Sequence, residues 1–417
     1  MKITKFTLNA YQKFQEESLF IRIFQITLFI WLFSIPLKNA IYQISTVLII
    51  ILFLIHYFYY KQKDFLLGIL TTYKKVLIVF LLFIASMLLS TLFGISEKHE
   101  IFSIFKYIYR YIFIFIILLY FYKQSFFSKK YLLSAIFIVL FINSLDGIYQ
   151  YFVGLDFIGN KPPDRSLLLT GAVYHHNPFG LLMTIAASMS LVLFFDKNNY
   201  TIFKYDKIFY FVALLMFLFT LFHSQSRSAW VMFGIISVGY MFVYIKNYGI
   251  DKKLFFSIST LLIISTLFFL VDDNLFHRLT LLIQGNSSGR TTIIWPFTIE
   301  KIMDSPILGY GINTYKMLAV GTPSVYHAGV HNLTLEFLLY TGIIGFSIFL
   351  YLIIITLKES FSKRKIIYFI LFSSYFILLQ FDGSLIDGKV HQNIFILLLF
   401  FIYSFRLDKN TSSEQYK

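Results

Sequence analysis

Long apolar runs alternate with short polar connections along most of the chain. A run of about 20 apolar residues can cross the hydrocarbon core of a bilayer as a helix. By this measure the pattern predicts about twelve transmembrane helices. They cover roughly residues 19–36, 40–60, 76–93, 104–122, 131–153, 178–195, 207–223, 229–245, 254–271, 333–357, 366–381 and 392–406. The chain is therefore predicted to be an all-α polytopic membrane protein.

Between the ninth and tenth runs lies a long polar segment, residues 272–332, which cannot sit in lipid. Ordered loops of this length are more often functional than simple connectors. The apolar residues of 291–304 recur near helical spacing and predict an interfacial amphipathic helix that ends at Ser305-Pro306. Tyr310-Gly311 and Gly321-Thr322-Pro323 predict turns. We expect this loop to cover a site at the membrane surface.

Composition supports this class of protein. The chain is 58% hydrophobic and 14% charged, whereas a soluble domain is about 25% charged. The absence of cysteine excludes disulfides, thiolate metal sites and a cysteine nucleophile. No small-residue cleavage site follows the first apolar run, so no cleavable signal peptide is expected. One transmembrane domain, residues 1–408, is predicted, with a disordered cytoplasmic tail at 409–417.

The net charge of +15 is distributed unevenly over the two predicted faces. With the N-terminus in the cytoplasm, Lys and Arg are in excess on every inner connection, while the outer face is close to neutral. The basic surplus therefore sets the orientation, and it gives no reason to expect a nucleic-acid partner. Both termini are predicted to be cytoplasmic. The outer face receives residues 157–177, the turn at Arg227, the loop 272–332 and residues 382–392.

Three polar residues on the outer face are candidates for chemistry. Arg227 lies in a very short turn among serines that offer hydroxyl donors, and its guanidinium matches phosphate oxygens bidentately. Arg290 follows a small polar run, 285–289, whose backbone N–H groups can surround an anion at the start of a helix. His331, at the membrane edge, is suited to accept a proton from a sugar hydroxyl. The structural alternatives are an interfacial arginine, a flexible loop and a solvated histidine.

Other histidines compete with His331 for that role. They are His327 and the pair His175-His176, while Glu336 follows His331 by five residues.

Metal chemistry is not expected from the pattern of acidic residues. Asp272 and Asp273 are adjacent, so their side chains diverge on a helix or strand. Asp382 and Asp387 could assist a cation or keep their loop solvated, and we favour solvation. The chain contains no P-loop, no Gly-x-Ser-x-Gly and no zinc-spaced histidine cluster. We therefore expect neither a metal ion nor another cofactor.

Several motifs together resemble the O-antigen ligase and polymerase superfamily of bacterial envelope glycosyltransferases. They are Ser226-Arg227-Ser228-Ala229-Trp230 at a span start, Gly289-Arg290 at the start of the loop helix, and residues 306–311 followed by 331–336 and 342–345. A weaker motif, Thr170-Gly171 with His176-Asn177-Pro178, is similar to the family's Arg-x-x-Gly-x-x-x-x-Pro-Asn loop but reverses the Pro-Asn order. Because of that departure, Arg165 is carried over only as a supporting residue. The resemblance covers roughly residues 160–350.

The resemblance implies a GT-C-type fold and an inverting, metal-independent glycosyltransferase. The implied donor is a glycan on undecaprenyl diphosphate, and the acceptor of a ligase is the lipid A–core oligosaccharide at the periplasmic face of the inner membrane. Arg227 and Arg290 would bind the donor diphosphate, and His331 would activate or orient the acceptor hydroxyl. The implied supporting residues are Arg165, His176, His327 and Glu336.

Other functions remain open at this point. An O-antigen polymerase and a protein O-oligosaccharyltransferase share the same motifs; ligase is favoured because one dominant external loop ends in His-Asn-Leu-x-Leu-Glu. A transporter of lipid-linked glycan would place several charges in mid-span. Here the charges inside predicted spans are chiefly Lys106, Arg110 and Asp146. A purely structural membrane scaffold is the least economical alternative.

Overall fold

The computed structural model of the protein describes residues 19–37, 39–165, 168–173, 175–196, 206–286, 289–326, 329–362, 365–386 and 388–414. Within these ranges the regular structure is helical, apart from an isolated bridge between Asp164 and Leu168. The prediction of an all-α chain is therefore confirmed.

The α-helices are numbered here in chain order. They are α1 (Leu19–Ser34), α2 (Asn39–Tyr59), α3 (Lys63–Thr72), α4 (Lys74–Phe93), α5 (Glu100–Tyr107), α6 (Ile114–Lys123), α7 (Lys129–Val153), α8 (His176–Phe195), α9 (Asp206–His223), α10 (Arg227–Tyr248), α11 (Lys252–Val271), α12 (Asp273–Ile283), α13 (Trp295–Asp304), α14 (Tyr315–Leu318), α15 (Leu333–Ser360), α16 (Ile366–Leu378) and α17 (Lys389–Glu414). Two π-helical segments, Ile108–Phe113 and Arg290–Ile294, and one 3-10 turn, Pro323–Tyr326, complete the set.

Every predicted apolar run coincides with a helix, but not every helix is long enough to cross a bilayer. In the part of the chain that the structure describes, nine helical stretches are long and apolar enough, and ten if the pair α11–α12, bent by 105°, counts as one span. Two helices that coincide with predicted runs, α1 with 16 described residues and α16 with 13, fall below that length. At about 1.5 Å per residue, α16 reaches about 20 Å, less than the ~30 Å of hydrocarbon. The count of twelve is therefore not confirmed, and the GT-C-type fold stays a prediction.

The external loop contains more helix than its sequence indicates. The predicted helix at 291–304 is present as the π-helical turn Arg290–Ile294 followed by α13, and it ends before Pro306 as expected. The hydrophobic pattern did not predict α12, because this helix is short and directly follows an apolar run. At the other end of the chain, α17 extends to Glu414, into the segment 409–417 that the sequence predicts to be disordered.

The structure divides into two compact units, each described separately below. The first comprises Met1–Leu52 and Phe126–Ile283, and the second Phe53–Ser125 and Gln284–Lys417. The single transmembrane domain predicted for residues 1–408 stays a prediction.

In the first unit, α9 lies at the centre and packs against α7 and α8. Phe137 of α7 meets Tyr210 and Phe217 of α9 edge-on, with ring centroids 5.6 and 5.7 Å apart. The Oγ1 atom of Thr184 in α8 donates to the carbonyl of Ala229 in α10 over 3.0 Å. These contacts fix the start of α10, where Arg227 lies.

In the second unit, α15 packs against α4, α13 and α17. Its core is an aromatic cluster in which Phe337 lies 5.1 Å from Phe83 and 4.4 Å from Phe349, measured between ring centroids. Edge-to-face and offset arrangements of this kind add to the free energy of burial. The cluster holds α15 firmly below the external loop.

Helix α15 is interrupted at Gly342, whose φ of 59° and ψ of −168° are not helical. The interruption leaves the carbonyls of Leu339 and Tyr340 without donors in their own helix. They accept hydrogen bonds from the backbone N–H groups of Tyr310 (2.9 Å) and Gly311 (3.0 Å) instead. The external loop thus completes the backbone hydrogen bonding of a broken transmembrane helix.

The docking of the loop at the break in α15 explains why glycines recur in residues 306–311 and 342–345. The N–H of Ile343 donates to the carbonyl of Pro306 over 2.9 Å. A Cβ atom on Gly342 would lie 2.1 Å from the carbonyl oxygen of Ile307, and a Cβ on Gly309 would lie 2.7 Å from the Gly342 nitrogen. Residues 306–311 and 342–345 therefore form one structural element, which fixes the loop on the helix.

Candidate functional site

The position of His331 is fixed by the residue that follows it. Asn332 caps α15, since its Oδ1 accepts the N–H of Leu335 over 3.0 Å, and its Nδ2 donates to the carbonyl of Gln380 over 2.9 Å. His331 itself has a φ of 54°, a conformation that is uncommon for residues other than glycine. Such strain is kept where the surrounding structure determines it. The His-Asn motif is thereby held against the segment that follows α16.

That segment carries Asp382, which contacts two of the predicted site residues. The Oδ1 atom of Asp382 lies 3.3 Å from Nδ1 of His331 and 3.7 Å from Nη2 of Arg290. The Asp382 side chain is 8% exposed, against 22% for Arg290 and 29% for His331. The structure thus brings Arg290 and His331 together through a buried carboxylate. We refer to these three residues as the Arg290–Asp382–His331 cluster.

The charge state of Asp382 follows from its neighbours. Burial raises the pKa of the carboxyl, but the hydrogen bond from His331 and the positive charge of Arg290 outweigh burial and hold the pKa below its ordinary value. Asp382 is therefore ionised at neutral pH and accepts the Nδ1–H of His331. In a neutral imidazole the other nitrogen, Nε2, is then the proton acceptor.

The interpretation of Asp382 as a residue that keeps its loop solvated is wrong. The residue is 6% exposed, because its loop is anchored from two helices. Nε2 of Gln392 in α17 donates to the carbonyl of Leu385 over 3.0 Å, and Nη1 of Arg110 donates to Oε1 of Gln392 over 2.8 Å. Because Asp387 lies in the same connection, no local pattern distinguishes Asp382 as the buried residue. Asp387 lies outside the described residues.

Arg290 begins the loop helix directly after Gly289, whose φ of 83° only glycine adopts readily. The wide first turn has Ile293 and Ile294 both donating to the Gly289 carbonyl, over 2.9 and 3.2 Å. Nε1 of Trp295, at the start of α13, donates to the carbonyl of Val330 over 3.2 Å. The helix that carries Arg290 is therefore tied to the residue before His331. The expected anion-binding turn at 285–289 includes residues 287 and 288, which lie outside the described residues, so it stays a prediction.

Arg227 is half-buried at the N-terminus of α10 in the first unit. The turn before it is rigid: Trp230 donates its indole N–H to the carbonyl of Leu221 over 3.0 Å, and the hydroxyl of Ser224 donates to the same carbonyl over 2.6 Å. Ser224 is fully buried, and the expectation that serines beside Arg227 offer hydroxyl donors to a ligand stays a prediction. The positive end of the helix dipole adds to the charge of Arg227, and both attract anions. That Arg227 shares a site with Arg290 and His331 stays a prediction.

A comparison with known protein families identifies this part of the chain. Residues 211–350 match the family described as O-antigen ligase. The match covers 140 of the 417 residues of the chain. This range includes Arg227, Arg290 and His331, whereas Asp382 lies beyond its end. No curated protein matches the chain.

The match confirms the resemblance to the O-antigen ligase and polymerase superfamily that the sequence motifs indicate. Members of the O-antigen ligase family are glycosyltransferase-like enzymes of the ligase and polymerase type.

Two supporting residues implied by the O-antigen ligase resemblance lie in the first unit. Nδ1 of His176, at the start of α8, is 2.7 Å from Oδ2 of Asp164, and Nε2 of His175 is 3.4 Å from the same oxygen. Burial raises the pKa of Asp164, but the hydrogen bond from His176 and the nearby positive charges lower it by more. Arg165 is exposed, has a φ of 50° and lines a cavity.

The group Asp164, His175 and His176 is also the one set of His and acidic side chains, among the described residues, that could hold a metal ion. One ligand atom from each of them lies within 4.8 Å of the others. The hydrogen bond between Asp164 and His176 accounts for most of this proximity.

The roles of the remaining supporting residues, Glu336 and His327, stay predictions. Glu336 is 5% exposed in the first turn of α15, where a negative side chain stabilises the positive end of the helix. His327 lies outside the described residues.

The charges inside the predicted spans have local partners. Lys106 donates to Oγ of Ser103 over 3.2 Å, and Arg110 holds Gln392 as described above. Oδ1 of Asp146 accepts the backbone N–H of Phe157 over 2.8 Å. Arg110 and Asp146 fasten connections to helices, and Lys106 bonds within its own helix, which gives no support to a charged transport route through the bilayer.

Proposed function

We propose that this protein is an O-antigen ligase-type glycosyltransferase. It transfers a glycan from undecaprenyl diphosphate to the lipid A–core oligosaccharide at the periplasmic face of the inner membrane. The observation that carries the proposal is the Arg290–Asp382–His331 cluster, in a chain with an O-antigen ligase family domain. A polar cluster that joins a cation, a carboxylate and an imidazole suits the transfer of a group from a phosphate to a hydroxyl.

The arginines act on the leaving group. As the acceptor oxygen bonds to the anomeric carbon with inversion, the bond from that carbon to the diphosphate oxygen breaks, and its electron pair stays on the diphosphate. Arg290, together with Arg227 in the proposed site, stabilises the negative charge that develops there. Arg290 has one charged contact among the described residues, Asp382 at 3.7 Å, so most of its donors can serve the donor substrate.

The histidine acts on the acceptor. Asp382 accepts the Nδ1–H of His331 and so presents Nε2 to the acceptor hydroxyl. That nitrogen takes the hydroxyl proton as the glycosidic bond forms. The ionised carboxylate then stabilises the imidazolium that results.

Variants of the arginines test this assignment. With purified protein, lipid-linked glycan and lipid A–core, we expect Arg227→Ala and Arg290→Ala each to lower turnover by on the order of 10²–10³ while the protein still inserts. Lysine at either position should rescue poorly, because the bidentate geometry of the guanidinium is lost. Turnover of Arg227→Ala at the normal rate would remove that residue from the site.

The same assay separates a ligase from a polymerase. A ligase should form product only when lipid A–core is added, whereas a polymerase should lengthen the glycan on its carrier with donor alone. Extension of the donor in the absence of lipid A–core would replace the proposed activity by polymerisation.

Two guanidinium groups supply the positive charge that a divalent cation supplies in other transferases, so the proposed reaction needs no metal ion. Treatment with a chelator should leave turnover unchanged. Loss of activity that a divalent cation restores would contradict this part and point to Asp164, His175 and His176.

A further inference from the structure

The first unit contains a cavity of about 330 Å³ beside α12. Its polar lining consists of Arg165, Gln225, Asn274, His277 and Arg278. Two leucines, Leu168 and Leu281, supply the apolar part of the wall. None of these lining residues is acidic, so the cavity as the structure describes it is positively charged.

The two arginines face the cavity without a carboxylate between them. Burial lowers the pKa of the Arg278 guanidinium, and the charge of Arg165 lowers it further; an anion beside these two arginines is therefore favoured. Nε of Arg278 donates to Oε1 of Gln225 over 2.9 Å, which fixes the plane of the guanidinium. Asp164, which precedes Arg165 in the chain, lies 2.7 Å from His176 and also interacts with the charge of Arg165.

Backbone strain occurs at two positions of the lining. Arg165 has a φ of 50° and Gln225 a φ of 52°, a region that side chains other than glycine seldom occupy. Strain of this kind concentrates at ligand-binding positions. Here it places the Arg165 and Gln225 side chains on the same cavity.

We propose that this cavity binds a sugar residue that carries a phosphate or carboxylate group. The two arginines bind the oxyanion, for which the planar guanidinium is well suited. The volume exceeds what a bare phosphate needs and lies in the range of small-molecule pockets, about 300–1,000 Å³. Asn274, His277 and Gln225 match sugar hydroxyls, and the leucines match the apolar face of a ring.

This inference rests on the proposed function in one respect, namely that the anionic sugar belongs to one of the glycans handled by the enzyme. It assigns the cavity to substrate recognition, separate from the diphosphate chemistry given to Arg290. Gln225 lies two residues before Arg227, so the cavity and the proposed diphosphate site share one turn of the chain.

The experiment measures binding, without glycosyl transfer. Purified full-length protein is titrated with glucose 6-phosphate, and hydrogen–deuterium exchange is followed in the peptide that covers α12. We expect saturable protection of this peptide with glucose 6-phosphate and with glucuronate, and none with glucose.

Variants locate the effect in the cavity. Arg278→Gln should weaken the binding of glucose 6-phosphate by about tenfold or more, as expected for the loss of a partly buried charge contact. Gln225→Glu keeps the size of the side chain and its acceptor for Arg278 but adds a negative charge, and it should abolish protection. Lys301→Gln, which removes a positive charge from α13 outside the cavity, is the matched control and should bind normally. Exchange in peptides of α4 reports whether each variant is folded.

Three results would overturn the inference. Protection by glucose equal to that by glucose 6-phosphate would remove the role of charge, and normal protection in a folded Arg278→Gln variant would place the binding elsewhere. Equal protection by glycerol 3-phosphate would leave an oxyanion site, such as one for a lipid headgroup, but remove the sugar. Because turnover is not measured, failure of the proposed ligase activity would not alter these outcomes.

Discussion

Among single residues, Asp382 has the largest influence on how the candidate site is arranged. Its buried carboxylate is 3.3 Å from His331 and 3.7 Å from Arg290, so one oxygen orients both side chains. We regard Asp382 as a positioning residue, since it faces protein groups and acts through His331. The geometry resembles other sites in which a buried carboxylate sets the tautomer of a histidine base.

We expect Asp382→Asn to lower turnover by on the order of 10²–10⁴ with little change in KM for the donor. The amide has the same shape but cannot hold His331 with Nε2 as the acceptor. The pH–rate profile should also change, because the histidine loses its ionised partner. Asp382→Glu serves as the conservative control and should retain part of the activity. A normal rate and profile in Asp382→Asn would show that the carboxylate is not needed.

The lowered pKa of Asp382 also predicts how stability depends on pH. A carboxyl whose pKa is lower in the folded state stabilises the protein above its unfolded pKa, about 3.9, and this contribution is lost as pH falls through the folded pKa. The wild type should therefore unfold at a higher temperature than Asp382→Asn at pH 6–7. The difference should shrink below about pH 4. Thermal unfolding across this pH range checks the sign, and a difference that grew on acidification would refute it.

Among the elements, the broken helix α15 determines where the external loop lies. The loop supplies the backbone donors and acceptors that the break at Gly342 leaves open. His331 immediately precedes Asn332, the cap of this helix, and residues 306–311 dock at its break. The short helix α14 and the 3-10 turn Pro323–Tyr326 lie in the chain between these two attachment points.

Gly342→Ala should destabilise the protein and reduce turnover. The new Cβ would lie 2.1 Å from the Ile307 carbonyl oxygen, and the positive φ adds strain of about 1–3 kcal/mol. Gly234→Ala in α10 is a suitable comparison, because nothing lies within 4 Å of its added Cβ. We expect that variant to unfold at or slightly above the wild-type temperature. Equal stability of the two variants would mean that the loop can dock without the break.

At the scale of the whole molecule, the distribution of charge predicts which face of the membrane each loop occupies. The chain has no cysteine, so single cysteines can be introduced as unambiguous labels. Asn286→Cys, exposed in the external loop, should react with a membrane-impermeant maleimide in intact cells. Lys63→Cys, exposed at the start of α3, should react only after the inner membrane is permeabilised. The reverse pattern would place the loop 272–332 in the cytoplasm and exclude a periplasmic site.

Arg227 belongs to the first unit and Arg290 to the second, and a common role in binding the donor is a proposal that kinetics can test. If both bind one diphosphate, their contributions to turnover should couple. We expect Arg227→Ala and Arg290→Ala combined to be far less harmful than the product of the two single effects, as for residues that act as a unit. Comparison of kcat/KM for the four proteins measures the coupling. Strict multiplication of the two losses would assign the arginines to independent tasks.

The sequence by itself determined the features that depend on local chemistry. A segment in lipid must satisfy its own backbone hydrogen bonds, so apolar runs predict helices one by one. Gly289-Arg290 likewise marks a helix start, and Pro306 marks a helix end, because each acts on neighbouring residues. The family motifs also pointed to Arg227, Arg290 and His331 as residues of one site. Arg290 and His331 contact one carboxylate, and a site shared with Arg227 stays a prediction.

Only the tertiary structure decided which distant groups meet. Asp382 is 51 residues from His331 in the chain, and no pattern near it distinguishes a buried partner from a solvated loop residue. Tertiary structure also decided that residues 306–311 dock into the break at Gly342. It likewise decided that Arg165 and Arg278 line the same cavity. The described lengths of α1 and α16, 16 and 13 residues, likewise leave these two predicted spans unconfirmed. Contacts of this sort depend on packing between helices, which hydropathy and motif spacing do not encode.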